Sequence, residues 1–114
     1  MEAYYRPFDE TEAYTQEDAA GLAFRKVLPA GIVPDVDMGL VTLMGPTHKW
    51  PGTHPWDQVY LVFRGTGWVH LAQERILIER PGIVVIPAGT LHSMEVAAGE
   101  VMEYVYVNRH LEGT

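Results

Sequence analysis

The chain has 114 residues, enough for one domain, and its 47% hydrophobic and 20% charged residues are typical of a globular protein with a moderate core. Fifteen acidic residues against eight basic ones give a net charge of -7, which opposes the electrostatic attraction that holds most proteins to nucleic acid. There is no cysteine, so disulfides and thiolate ligands are excluded and any metal ion must be bound by nitrogen and oxygen.

We assign residues 1–20 to an N-terminal surface arm and residues 21–114 to a single domain. The arm is acidic and has no apolar signal region, and no apolar run in the chain approaches the length of a membrane span. We therefore expect a cytoplasmic protein with no membrane partner. The domain opens with a predicted edge strand over residues 22–28, which the turn residues Pro29 and Gly31 should end.

Short apolar segments separated by Gly and Pro continue through the rest of the chain. Residues 38–44 have the composition of a strand that is buried on both faces, and Gly45 and Pro46 should end it. Further strands are predicted at residues 59–63, 68–72, 75–79, 83–86, 92–97 and 101–107. Seven or eight short strands without a convincing helix predict an all-β protein, a sandwich or a jelly roll.

One of these segments has polar residues on a face that should lie inside. Once the chain is extended after Trp56, the period of two puts Gln58, Tyr60 and Val62 on one face. His54 precedes Gln58 by four residues and is close enough to join it at one site. This face should be the interior of the barrel.

A second segment, residues 81–92, has a buried apolar strand, a Pro-Ala-Gly turn and then a histidine. The two segments resemble the two motifs of the cupin superfamily, usually written G-x5-H-x-H-x3-4-E-x6-G and G-x5-P-x-G-x2-H-x3-N. In the first motif, His54 takes the place of the second histidine, Gln58 that of the glutamate and Gly65 that of the closing glycine. The second motif is matched by Pro87, Gly89 and His92.

The sequence also departs from these motifs at four places. Gly52 stands where the first histidine is expected, and Gln58 replaces the glutamate. The interval between Gly82 and Pro87 is one residue short, and Val96 replaces the asparagine. The departures affect the expected activity more than the expected fold.

The resemblance implies a double-stranded β-helix, the jelly-roll barrel of the cupins, with one divalent metal ion: zinc, nickel, iron or manganese. Its ligand positions correspond to His54, Gln58 and His92 in this sequence. His48, six residues before His54, is a further candidate ligand for the position left at Gly52. An exposed loop histidine is the simpler interpretation of His48.

Gln58 decides which class of chemistry we expect. A glutamate would complete the two-histidine, one-carboxylate arrangement of non-haem iron oxygenases, whereas an amide is neutral and a weaker donor. The small cupins that linearise unsaturated uronates in pectin and alginate breakdown are similar in size and pair histidines with a glutamine. We therefore expect Lewis-acid catalysis on a small polar, oxygen-rich metabolite, of the isomerase or lyase type. A dioxygenase and a non-catalytic cupin that binds a small ligand are the alternatives, the latter with Gln58 as an inert replacement.

Tyrosines are further candidates for the interior. Tyr60 shares the face of Gln58, and Tyr104 alternates with Met102 and Tyr106 on one face of the last strand. A buried phenol can donate or accept a hydrogen bond and can serve as a general acid or base, so we treat Gln58, Tyr60 and Tyr104 as the catalytic candidates. Packing in the core is the alternative interpretation of the tyrosines.

The outer face of the same strand is apolar. Val59, Leu61 and Phe63 alternate with the inward residues and would form a contiguous exposed patch. Either the N-terminal arm or a second subunit must cover it. Because a patch of this kind is typical of a subunit interface, we expect a homodimer whose other partner is a small-molecule substrate.

Overall fold

The computed structural model describes residues 2–14, 22–48 and 51–110, with only the backbone of His48 included. Within these ranges no helix is long and apolar enough to cross a membrane. A short 3-10 helix, Phe8–Glu10, precedes ten strands. In chain order the strands are β1 (Glu12–Tyr14), β2 (Leu22–Val33), β3 (Val36–Met44), β4 (Thr47–His48), β5 (Asp57–Gly65), β6 (Gly67–Leu71), β7 (Glu74–Ile78), β8 (Gly82–Ile86), β9 (His92–Val96) and β10 (Val101–Arg109).

The strands form two antiparallel sheets. The larger sheet has the order β1-β2-β3-β10-β5-β8, and the smaller one has the order β4-β9-β6-β7. Both sheets contribute side chains to one buried cluster, so they pack face to face as in a jelly roll. The all-β jelly roll predicted from the sequence is confirmed. Residues 12–14 of the expected N-terminal arm join the larger sheet as its edge strand β1.

The inner face of β5 is the one that its alternation predicts. Gln58, Tyr60 and Val62 are 7%, 6% and 3% exposed, respectively. The pairing of β5 with β10 sets Gln58 opposite Asn108 and Tyr60 opposite Tyr106. Since paired residues in a sheet point to the same side, polar side chains from both strands meet inside the barrel.

A register shift near the end of this pairing fixes which charged groups face outward. Between Glu103 and Tyr104 the partner on β5 changes from Arg64 to Val62, so Phe63 has no partner. The bulge keeps Tyr104 inside while Arg64 and Glu103 form an ion pair, 2.7 Å long, on the outer face. Neither charge enters the barrel.

The predicted stop at Pro29 and Gly31 is wrong, because β2 continues to Val33. The pairing of β2 with β3 is irregular between Leu28 and Val33, and Gly31 has a φ of +95°. Proline has no backbone N–H to donate to a neighbouring strand. In an irregular stretch near the edge of a sheet no such hydrogen bond is needed, so the proline is tolerated. The strand therefore bends where the sequence predicts an end.

An apolar patch covers the outer face of β5 and β8. Leu61 pairs directly with Ile83 and Val59 with Val85. Leu61, Phe63, Ile83 and Val85 are between 45% and 64% exposed. In the described part of the arm, β1 lies at the opposite edge of the sheet from β8 and does not cover the patch.

We predict that a second copy of the chain covers this apolar patch, because monomers seldom expose contiguous apolar surface of this kind. Leu61→Glu should turn a dimer into a monomer in sedimentation experiments, since it places a charge in the buried interface. Leu77→Glu is the matched control, because Leu77 is similarly exposed but lies on β7 of the other sheet. A wild-type protein that sediments near 12.8 kDa at micromolar concentration would contradict the prediction.

Candidate metal centre

His54 and His92 come together at one end of the barrel. An isolated β-bridge joins Gly52 to His92, and each backbone N–H donates to the carbonyl of the other residue, at 3.1 and 3.0 Å. The imidazole centres of His54 and His92 lie 5.1 Å apart with a tilt of 56°. Two rings at this separation can each direct a nitrogen to a shared ion at about 2.1 Å. The pair predicted from the two motifs is therefore close enough for one site.

A turn before β9 connects the two motif segments. The backbone N–H of Gly89 donates to the carbonyl of His54 at 2.8 Å, and that of Ala88 donates to the Asp57 carboxylate at 2.9 Å. Gly89 has a φ of +80°, a conformation that side chains disfavour. The Pro-Ala-Gly sequence thus fixes the backbone of both histidine segments.

The imidazole of His92 has one nitrogen available for an ion. Its Nδ1 lies 2.9 Å from the carbonyl oxygen of Thr90. A carbonyl only accepts, so Nδ1 carries the proton and Nε2 keeps its lone pair. Metal-binding histidines usually donate the N–H of the other ring nitrogen to a backbone carbonyl, a carboxylate or water, as His92 does here.

His54 is held by an aromatic neighbour. Its ring stacks on Trp56 with centroids 4.8 Å apart and an angle of 7° between the planes. The indole also contacts the ring of His110, at 4.7 Å between centroids. Trp56 thus forms a wall beside the site and limits how far the His54 ring can rotate.

Gln58 supplies the test of whether a metal ion fits. Its Nε2 donates to Asn108 Oδ1 at 2.8 Å, whereas its Oε1 is buried with no hydrogen-bond partner among the described residues. A buried oxygen left without a partner costs about 1–3 kcal/mol. An ion held by this oxygen and the two imidazoles would satisfy it, and such N and O donors suit zinc, nickel, iron and manganese. The residues present fit a divalent metal.

The third ligand position predicted from the sequence holds an amide, that of Gln58. In the ranges that the structure covers, no three His, Cys, Asp or Glu side chains group as a metal site would need. The fit therefore depends on Gln58 beside His54 and His92. The His48 backbone pairs with Glu95 on β9, but its side chain lies outside the described atoms, and its role as a ligand stays a prediction.

Gly52 leaves space where the first motif histidine would stand. Bridged residues point to the same side of a sheet, so a side chain at Gly52 would face the same interior as His92. A Cβ there would meet nothing within 4 Å in the described part of the chain. The coordination position that the sequence lacks is thus open for a further ligand.

Tyrosines form the inner wall next to His92. The rings of Tyr60 and Tyr104 lie 4.5 Å apart, and Tyr60 presents an edge-on contact to His92 at 6.3 Å. Burial raises the pKa of Tyr60 and of Tyr104 well above the usual range, and a hydrogen bond joins the two hydroxyls. The predicted interior position of both is confirmed, and their catalytic role stays a prediction. Tyr106, only half-buried, turns its hydroxyl to that of Tyr14 at 3.0 Å.

Three residues of this region are missing from the sequence-based predictions: Asp37, Asn108 and His110. The last predicted strand ends at residue 107, but β10 continues to Arg109 and Asn108 is buried. The inner-face alternation of Met102, Tyr104 and Tyr106 would have included Asn108 if it had been extended by one step.

Comparisons with known proteins agree with this architecture. The sequence model of the AraC-like ligand binding domain matches residues 34–113, and no curated protein matches the chain. The polyketide cyclase RemF from Streptomyces resistomycificus superposes with a TM-score of 0.82 at 14% identity, covering 99% of this chain and 88% of that one. A cupin-like protein from Thermotoga maritima gives 0.77 at 17% identity, with 88% and 78% covered. KdgF from Halomonas sp. gives 0.78 at 18% identity, with 97% of both covered. At such identities the likeness shows the fold alone.

The buried tyrosines predict an alkaline loss of stability. Above about pH 10 the unfolded chain releases tyrosine protons that Tyr60 and Tyr104 retain when folded, so the free energy of unfolding should fall as the pH rises. The slope approaches about 1.4 kcal/mol per pH unit for each such tyrosine. Urea unfolding of Tyr60→Phe or Tyr104→Phe should show a shallower fall, whereas Tyr5→Phe, which removes a side chain from an 87% exposed position, should not. Equal slopes in all four proteins would contradict the prediction.

The open position at Gly52 predicts that Gly52→His binds Zn²⁺ more tightly than the wild type. The new imidazole would add a ligand beside His92 without a clash, and we expect at least a tenfold gain in affinity by calorimetry. Gly82→His is the control, because Gly82 is exposed and lies at the start of β8, at the other end of the β5–β8 pairing from Gln58. Unchanged Zn²⁺ affinity in a folded Gly52→His protein would show that this position does not face the ion.

Proposed function

Since the chain belongs to the family of AraC-like ligand binding domains, with the cupin fold, we propose that it is a metal-dependent enzyme acting on a small polar, oxygen-rich metabolite. The proposed reaction is a Lewis-acid isomerisation or lyase step. The observation that carries the proposal is the buried Gln58 Oε1, which has no hydrogen-bond partner among the described residues, together with the close approach of the His54 and His92 rings.

The ligands we propose are His54 and His92 through nitrogen and Gln58 through its amide oxygen. When bound, a divalent ion with these three uncharged ligands would keep its full positive charge and polarise a carbonyl or hydroxyl oxygen of the substrate. A glutamate in place of Gln58 would favour the iron oxygenases, so its absence lowers the dioxygenase alternative.

Tyr60 and Tyr104 supply the protons of the proposed site. Burial keeps their pKa above the usual range, so both phenols remain protonated at neutral pH. They therefore act as hydrogen-bond donors, because the raised pKa makes it harder for either phenol to give up its proton or to serve as a general base. We propose that Tyr60, which contacts His92, donates to a substrate oxygen, and that Tyr104 orients the Tyr60 hydroxyl.

The proposed substrate is small because aromatic rings border the site on two sides. Trp56 covers one side of His54, and Tyr60 borders His92 on the other. Polar groups between these walls, at Gln58 and Tyr60, suit a ligand with several oxygens. Unsaturated uronates are the first compounds to assay, since the sequence resembles the small cupins that linearise them.

Ligand binding without catalysis is the second candidate function. It is favoured by the family itself, whose description is a ligand binding domain and which covers residues 34–113. Both candidates use the same site, and they differ in whether the bound molecule is converted. Turnover therefore separates them.

The metal proposal predicts that His54→Ala and His92→Ala each lower Zn²⁺ affinity by at least about 100-fold, because losing a ligand should cost at least as much as losing a residue that orients one. Calorimetry on chelator-treated protein measures this effect. His70→Ala is the matched control, because His70 bonds Glu95 on the outer face of the smaller sheet. Purified protein that contains no metal and binds none would leave ligand binding as the function.

The Gln58 amide predicts a reaction that does not consume dioxygen. Gln58→Ala should lose both Zn²⁺ affinity and turnover of the uronate. Gln58→Glu should bind Zn²⁺ more tightly but lose turnover, because the added negative charge weakens polarisation of the substrate. Stoichiometric uptake of dioxygen, or a Gln58→Glu protein more active than the parent, would favour the dioxygenase instead.

A further inference from the structure

A chain of hydrogen bonds leads from the candidate metal centre to the protein surface. Gln58 Nε2 donates to Asn108 Oδ1 at 2.8 Å, and Asn108 Nδ2 donates to Asp37 Oδ1 at 2.9 Å. His110 Nε2 contacts the other carboxylate oxygen, Asp37 Oδ2, at 2.5 Å. The register sets Asn108 directly between Gln58 on β5 and Asp37 on β3, so the sheet itself aligns the chain.

The carboxylate determines the direction of every bond in this chain. A carboxylate only accepts hydrogen bonds, so Asn108 must turn its NH₂ group toward Asp37 and its oxygen toward Gln58. Gln58 must then turn its own NH₂ group toward Asn108. Its Oε1 is then the atom without a role in the chain, and it is buried with no hydrogen-bond partner among the described residues. One carboxylate thereby orients two amides in succession.

We propose that Asp37 and Asn108 are positioning residues that select glutamine at position 58 and aim its oxygen into the site. The part of this inference that concerns the ion rests on the proposed function, whereas the selection of glutamine does not. If Gln58 were an inert replacement for a glutamate, we would not expect its neighbours to offer a hydrogen-bond acceptor to the amide NH₂ group. The chain through Asn108 and Asp37 matches an amide and excludes a carboxylate.

A carboxylate is excluded at position 58 because the chain would then have too few hydrogen-bond donors. A carboxylate at position 58 would face Asn108 Oδ1, so two acceptors would meet. If Asn108 turned over to donate to it, its oxygen would instead face the Asp37 carboxylate. Gln58 and Asn108 are 7% and 8% exposed, so water has little access to separate the mismatched oxygens. Either arrangement leaves a buried acceptor unsatisfied.

A double-mutant cycle on the metal-free protein tests the selection of glutamine. Gln58→Glu should lower the equilibrium constant for folding at least tenfold in urea unfolding at neutral pH. Adding Asp37→Asn should recover most of that loss, because the new amide at position 37 donates to Asn108 and lets it donate to position 58. Asp37→Asn alone should lower the equilibrium constant for folding less than Gln58→Glu alone does, because the oxygen of the new amide can still accept a hydrogen bond from Asn108.

Asp35→Asn is the matched control for this rescue. Asp35 lies in the exposed turn before β3, and its substitution removes the same charge without touching the hydrogen-bonded chain. It should leave the Gln58→Glu defect unchanged. A rescue by Asp35→Asn as large as that by Asp37→Asn, or no rescue by Asp37→Asn, would overturn the proposal, since charge or packing would then explain the defect.

Zn²⁺ calorimetry tests whether the chain aims the Gln58 oxygen. Asn108→Leu frees the amide to rotate and should lower Zn²⁺ affinity about 10- to 100-fold. The exchange Asp37→Asn with Asn108→Asp keeps an acceptor beside Gln58 Nε2 and should retain affinity within about threefold. Equal affinities for wild type and Asn108→Leu would overturn the positioning role. A wild type that binds no Zn²⁺ would refute the proposed function, while the metal-free cycle would still decide the selection of glutamine.

Discussion

Burial of the Gln58 amide is the constraint on which the candidate site depends. An amide inside an apolar barrel must satisfy its donors, and here Asn108 accepts from it across the β5–β10 pairing. Asn108 in turn depends on Asp37, one strand further along the sheet. The position of a single oxygen is therefore set by the register of three strands, which makes the larger sheet part of the site.

The same constraint shapes the electrostatics of the interior. The chain has a net charge of -7, yet Tyr60 and Tyr104, the phenols on the His92 side, are uncharged, and so is the Gln58 amide. Asn108 lies between the Asp37 carboxylate and Gln58, and the Arg64–Glu103 ion pair lies on the outer face. These groups would not neutralise the charge of a bound cation. The cation would therefore attract electron-donating oxygen atoms of a ligand more strongly than a cation bound by a carboxylate would.

The sequence predicts the barrel and the inward face of β5 because both follow from local rules. Alternation puts Gln58, Tyr60 and Val62 inside, and a Pro-Ala-Gly turn precedes His92 in a recognisable motif. The Asn108 contacts escape prediction because the partners lie 50 and 71 residues away, and only the strand register makes them neighbours. The predicted end of the strand at Pro29 is wrong because the local turn residues are outweighed by the pairing of Val33 with β3 further along β2.

The two candidate ligands Gln58 and His92 lie in different sheets, since β5 belongs to the larger sheet and β9 to the smaller one. An ion bound by both would act as a cross-link between the two layers, in the way that a disulfide joins the sheets of other β-sandwiches. The two layers could then separate at this end only after the ion is released. Binding of the ion should therefore slow the exchange of backbone amide hydrogens at the strand ends near the site. Ligation and the closure of the sandwich would thus be one thermodynamic event.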